Sequence, residues 1–154
     1  MIIAYFYSMP KNNKAKEYGT LIDRTLRIIK LNFIQGFKEA GVDLTPEQWV
    51  ILSRIYHQKD ISQTDLANGS FKNAPTVSRI IDLLCKKGMT VRHRFKNDRR
   101  RYKISLTPLG LDTFKKAQPV AQELRQKGWA GLTDSDYDNF TRIVNQIFNN
   151  FSEE

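Results

Sequence analysis

Side chains suited to covalent, redox or metal chemistry are scarce in this 154-residue chain, which has one cysteine and two histidines. The lone Cys85 excludes an internal disulfide and a cysteine-built zinc or iron-sulfur centre. With only His57 and His93 beside it and no phosphate-cradling glycine loop, the groups that catalysis needs are too few to converge on a site. No enzyme, metal or cofactor is expected. Long apolar runs are missing as well, since nothing approaches the roughly 18 residues of a membrane span. The opening Met1-Ile2-Ile3-Ala4-Tyr5-Phe6-Tyr7 has neither a basic n-region nor a small-residue cleavage site. The chain is therefore expected in the cytoplasm, with no membrane partner. Acidic residues are also outnumbered: 16 against 25 lysines and arginines give a formal charge of +9. Such a balance favours a polyanionic partner, nucleic acid before an anionic membrane surface. The length suits one domain, 1–154, and leaves no room for a separate enzyme domain.

What is present is a series of helix signals. From about Lys14 to Ala40 the residues Leu21, Ile22, Leu26, Ile29, Phe33, Ile34 and Phe37 recur at helical spacing, and Gly41 is a stop. Thr45-Pro46-Glu47-Gln48 supplies a capping hydroxyl, a first-turn proline and a capping-box glutamine for a helix through Trp49, Leu52, Ile55 and Tyr56. Ser62-Gln63-Thr64-Asp65 repeats that logic for a short helix ending near Gly69. Asn73 then caps a helix whose buried stripe is Val77, Ile80, Ile81 and Leu84 and which ends at Gly88. Val91, His93 and Phe95 alternate with Arg92, Arg94 and Lys96, and Tyr102, Ile104 and Leu106 with Arg101, Lys103 and Ser105, predicting two antiparallel strands. Thr107-Pro108 opens a long helix to about Lys127. Thr133 to Asp136 opens a last one carrying Tyr137, Phe140, Ile143, Val144, Ile147, Phe148 and Phe151.

The expected fold is mainly α with a small β-wing. A winged helix-turn-helix lobe over 45–107 is flanked by helices over 14–41 and 108–151. That order resembles the multiple-antibiotic-resistance regulator (MarR) family, and three segments carry the resemblance. Asn73-Ala74-Pro75-Thr76-Val77-Ser78-Arg79-Ile80-Ile81-Asp82-Leu83-Leu84 looks like the family's recognition helix, and Lys86-Lys87-Gly88-Met89 like its exit. Asp98-Arg99-Arg100, followed by Ile104-Ser105-Leu106-Thr107-Pro108-Leu109-Gly110, looks like the wing and the next helix start. Pro75 where serine is frequent, Thr90 after Met89 and the extra Arg101 depart from common members, so no base preference carries over. Peroxide-sensing relatives hold a cysteine near the start of the first helix; this chain has none there.

The residues also suggest how such a protein works. On a helix entering the major groove, Asn73, Ala74, Pro75, Thr76, Ser78 and Arg79 lie nearest the base edges, and Arg79 suits bidentate contact to guanine. The alternative for Arg79 is a surface ion pair with Asp82. Ser62, Thr64 and Lys72 suit phosphates. The turn Asn97-Asp98-Arg99-Arg100-Arg101 offers Arg99 or Arg100 to a narrow minor groove, with Asp98 bracing the turn; a merely solvated hairpin tip is the plainer reading. Two copies reading a near-palindrome are expected, because one reader engages few bases and the flanking helices carry surplus apolar residues. The resemblance implies that those helices build the homodimer. It also implies a small, often aromatic effector in a cleft beside the DNA-binding lobe, where Tyr18, Arg24, Trp49 and Tyr56 are candidates, although aromatics at helical spacing commonly belong to the core. Cys85 reads as a structural thiol. The expected function is a dimeric, sequence-specific DNA-binding regulator, a repressor tuned by an effector. The competing reading is a winged-helix module that binds a protein partner or RNA.

Overall fold

Thr45 closes the capping box that its sequence announces: its hydroxyl accepts from the Gln48 amide at 3.2 Å, and its own amide donates to Gln48 Oε1 at 3.2 Å. The computed structural model describes residues 17–59, 61–69, 73–95 and 98–152, over which six helices and three strands follow one another. They are α1 (Tyr18–Glu39), α2 (Pro46–His57), β1 (Ile61–Ser62), α3 (Gln63–Gly69), α4 (Ala74–Lys86), β2 (Thr90–Phe95), β3 (Asp98–Leu106), α5 (Pro108–Trp129) and α6 (Asp134–Ser152). The starts of α3, α4 and α6 hold by the same chemistry. Ser62 Oγ accepts from the Asp65 amide at 3.0 Å, and Asn73 Oδ1 accepts from Thr76 at 3.0 Å. At α6, the Thr133 amide and hydroxyl both donate to Asp136 Oδ2, at 2.8 and 2.7 Å. Those bonds hold the Asp136 carboxyl below the usual range.

The sheet has three strands rather than the expected two, in the order β1-β3-β2, with Ile61 opposite Ile104 and Arg92 also opposite Ile104. Two residues are too few to show alternation, so β1 leaves no periodic signal. The phase of β2 also differs from its apolar pattern. Thr90 is buried and Arg92 half-buried on the inner face, while Val91 and His93 point outward. A charged side chain can occupy an inner position only with a partner, and Asp82 on α4 provides one.

Contacts divide the chain into two compact units, Met1–Ala121 and Gln122–Glu154. The first holds the core. Ile51 and Leu52 of α2, Leu66 of α3, Val77, Ile81 and Leu84 of α4, Ile104 of β3 and Phe114 of α5 are all fully buried there. An aromatic column runs through it: Trp49 stacks on Phe114 at 5.2 Å, and Phe114 stacks on Tyr56 at 3.9 Å. In the second unit, Trp129 meets Tyr137 and Phe140 edge-on at 5.7 and 6.2 Å.

The α4 exit and the α5 start meet at one seam. Gly88 turns the chain with φ of +69°, the left-handed conformation that ends many helices. The Thr107 hydroxyl donates to the Gly88 carbonyl at 2.5 Å, and the Thr107 amide donates to the Met89 carbonyl at 3.0 Å. Gly110 then packs so closely that a β-carbon there would lie 1.9 Å from the Met89 oxygen. Backbone cannot swing aside as a side-chain end can. We expect Gly110→Ala to cost about 1–3 kcal/mol by overpacking, read as a lower melting temperature, whereas Gly128→Ala, in the same helix with open space around it, should melt no lower than wild type.

Candidate nucleic-acid interface

Helices α3 and α4 form the helix-turn-helix. Val77, Ile80, Ile81 and Leu84 anchor α4 in the core, so its opposite face is left outward. That outward face carries Asn73, Ala74, Pro75, Thr76 and Arg79 exposed and Ser78 half-buried, as their spacing implies. Asn73 spends its side-chain oxygen on the cap. The alternative partner for Arg79 is already engaged, because Arg92 holds the Asp82 carboxylate. Thr64 is exposed in the first turn of α3, whereas Ser62 is 4% exposed and its hydroxyl is bonded to Asp65. Lys72 lies outside the described residues. The last residue of α3, Gly69, sits against the Arg54 guanidinium of α2, with 1.9 Å between a would-be β-carbon and Nη1.

The wing is the hairpin of β2 and β3, paired from Thr90–Leu106 outward with an irregularity between Arg94 and Phe95. Asp98, Arg99, Arg100 and Arg101 belong to β3, and their side chains, like Asn97 as a whole, lie outside the described part of the structure. At the stem, Arg92 Nη1 lies 2.5 Å from Asp82 Oδ1, and its Nε donates to Gln63 Oε1 at 3.3 Å. Sequence reading missed this cluster. The one available signal was a charged residue near the start of a strand, with an acid on the helix before it. Farther down, Lys87 donates to the Asp43 carbonyl at 2.8 Å and to Gln48 Oε1 at 3.3 Å, tying the α4 exit to the α1–α2 connection.

A cleft of about 900 Å³ opens between the end of α2, the end of β3 and the start of α5. Tyr56, His57, Lys59, Leu106, Leu111 and Lys115 are among its lining residues. Of the expected effector residues, only Tyr56 lines it. Trp49 is 3% exposed inside the core, and its indole N–H has no acceptor among the described residues. Tyr18 and Arg24 lie exposed on α1. Cys85 is half-buried with Sγ 3.3 Å from Thr90 Oγ1. Among the described residues no helix is long and apolar enough to cross a membrane, and no acid, histidine and cysteine cluster could hold a metal ion.

Comparison with known proteins agrees with this geometry. Residues 44–102 match the model of the MarR family. The HTH-type transcriptional repressor IacR of Pseudomonas putida is 22% identical over 109 residues, which are 71% of this chain and 65% of that protein. The chain spans just under two thirds of the length of such curated relatives, at 65%, 65% and 66%. Among solved structures, the S. aureus MepR–DNA complex superposes with a TM-score of 0.78 at 22% identity, covering 86% of this chain and 97% of that one. PcaV of Streptomyces coelicolor, in complex with its natural ligand, gives 0.78 at 18% identity, covering 92% and 98%. At such identities the likeness is one of fold.

Proposed function

The chain belongs to the MarR family, and on that premise we propose that it is a dimeric, sequence-specific DNA-binding regulator of transcription. The observation that carries this reading is the division of α4: four aliphatic side chains lock one face into the core, while Ala74, Pro75, Thr76 and Arg79 stand outward beside an arginine-rich wing. Net charge of +9 supplies the long-range attraction to duplex DNA. Thr64 is retained as a phosphate contact and Ser62 is not, since its hydroxyl serves the α3 cap. Lys72 keeps its proposed phosphate role from its charge and its place in the sequence just before α4, and Arg99 and Arg100 theirs in the minor groove.

Dimerisation is supported by what a single chain leaves uncovered. Leu21, Ile22, Leu26 and Ile29 of α1 are exposed, and so are Tyr137, Phe140, Ile143 and Phe148 of α6. Faces this apolar mark an interface. The flanking segments 14–41 and 108–151 are thus the proposed dimerisation region around the 45–107 reader. The proposed effector site is the cleft at Tyr56, where an aromatic face stands with His57, Lys59 and Lys115, a combination suited to a small anionic aromatic compound. Such a ligand would release DNA by favouring a lobe spacing that does not fit the operator, making the protein a repressor acting in the cytoplasm.

The test is selection of genomic fragments by the purified protein, then titration of the recovered duplex at two salt concentrations. A near-palindrome bound by a dimer, with steep salt dependence, is the expected result. Alanine at both Arg99 and Arg100 should flatten the slope of log K against log salt by about 0.9 for each phosphate that is no longer neutralised, with the dimer mass unchanged. Weak binding without sequence preference would favour a module for a protein partner or RNA.

A further inference from the structure

The inner face of β2 bears a guanidinium where an apolar side chain would be ordinary. Arg92 is 27% exposed, and it reaches Asp82 on α4 through Nη1 and Gln63 on α3 through Nε. These residues stand on the three elements that make up the reader: the first residue of α3, the body of α4 and the stem of the wing. An acid on the reading helix repels phosphate unless a cation neutralises it. The cation here comes from the wing. We infer that Arg92 is a positioning residue for DNA recognition: clamped by Asp82 and Gln63, it sets the tilt of the wing against the recognition helix, so that both meet their grooves at once. The inference rests on the DNA-binding reading above.

Two properties of the clamp support that role. Its two contacts leave from different nitrogens of one rigid plane, a span that the single ammonium of lysine cannot reproduce. It also acts with leverage. A strand rises about 3.3 Å per residue, so a tilt of about 20° at Arg92 displaces the strand three residues on by about 3.5 Å, more than a hydrogen-bond length. The clamp reaches the rest of the sheet too, because β2 pairs with β3 and β3 with β1.

The experiment compares wild type, Asp82→Asn, Arg92→Lys and the exchanged pair Asp82→Arg with Arg92→Asp. Each is titrated with the selected duplex and an unrelated duplex at two salt concentrations, and amide hydrogen exchange over 90–95 is measured on the free proteins. Asp82→Asn is isosteric at a half-exposed position and Arg92→Lys keeps its charge, so both are expected to melt near wild type. Each single variant should lose about tenfold in affinity for the selected duplex, the scale of one base contact. Binding to the unrelated duplex should hold, the β2 amides should exchange faster, and the exchanged pair should recover part of both losses. Removing a negative charge ought otherwise to strengthen binding to DNA, so an Asp82→Asn variant that binds as well as wild type or better overturns the inference. So does an Arg92→Lys variant with unchanged affinity for the selected duplex, or an exchanged pair that recovers nothing. Wild-type protein that selects no duplex removes the DNA-binding reading and this inference with it; a selective wild type with indifferent variants removes the inference alone.

Discussion

On the proposed DNA-binding reading, Arg79→Ala will strip the protein of most of its preference for the selected duplex. A bidentate arginine–guanine contact is worth about 1–3 kcal/mol, and the proposed dimer would make it twice, so the loss on the selected duplex should be about 2–6 kcal/mol, from about thirtyfold to about twenty-thousandfold. Affinity for an unrelated duplex should change by less than about tenfold, since that binding comes from phosphates. The structure favours this outcome because Asp82, the acid that would hold Arg79 on the surface, is bound to Arg92. The exposed Arg79 has no ion-pair partner among the described residues. Equal losses on both duplexes would make Arg79 a phosphate contact and move sequence reading to Thr76 and Ser78.

Phe114→Ala carries the largest expected cost in stability. The ring is 0% exposed, stacks on Trp49 at 5.2 Å and on Tyr56 at 3.9 Å, and brings α5 onto α2. Truncating a buried phenylalanine removes about 3–5 kcal/mol, out of a total of about 5–15 for an ordinary domain. At about 2–4 °C per kcal/mol for a chain of this size, the melting temperature should fall by roughly 10 °C. Phe114→Leu, which keeps most of the volume but not the stack, should lose distinctly less. A melting temperature within about 3 °C of wild type for the alanine variant would mean that the column is not the centre of the core. Tyr56 depends on the same ring for its orientation, so loss of Phe114 should also loosen the cleft that Tyr56 lines.

Those two residues mark what local sequence can and cannot reveal. Helix starts were legible because capping is a short-range chemistry: Thr45 with Gln48, Ser62 with Asp65 and Asn73 with Thr76 each act over three residues. The buried stripe of α4 was legible because Val77, Ile80, Ile81 and Leu84 repeat at the helical period. What failed depends on partners far along the chain. Arg92 faces inward because of Asp82, ten positions earlier, and Gln63, twenty-nine positions earlier, so the apolar alternation of Val91 and His93 misreads which side is buried. Strand β1 exists only because Ile104 waits opposite Ile61. Trp49 and Tyr56, both aromatic and both on α2, look equivalent in sequence. One turns into the core and the other borders the cleft, according to the helix that each faces. Pro119 lies within α5, the helix expected to run on to about Lys127, and forfeits one backbone bond without ending it.

The seam at Gly88, Met89, Thr107 and Gly110 bears on how proteins of this plan diversify. The hairpin of β2 and β3 is closed at its base by hydrogen bonds from Thr107 to Gly88 and Met89. Everything between is a cassette whose ends are fastened before its contents matter. Inside it, pairing runs from Thr90 opposite Leu106 to Arg94 opposite Tyr102, the clamp holds Arg92, and the register shifts between Arg94 and Phe95. On the proposed DNA-binding reading, a hairpin tip transplanted from a relative beyond that shift should be accepted by the host and change the duplex that is selected without changing the fold of the lobe.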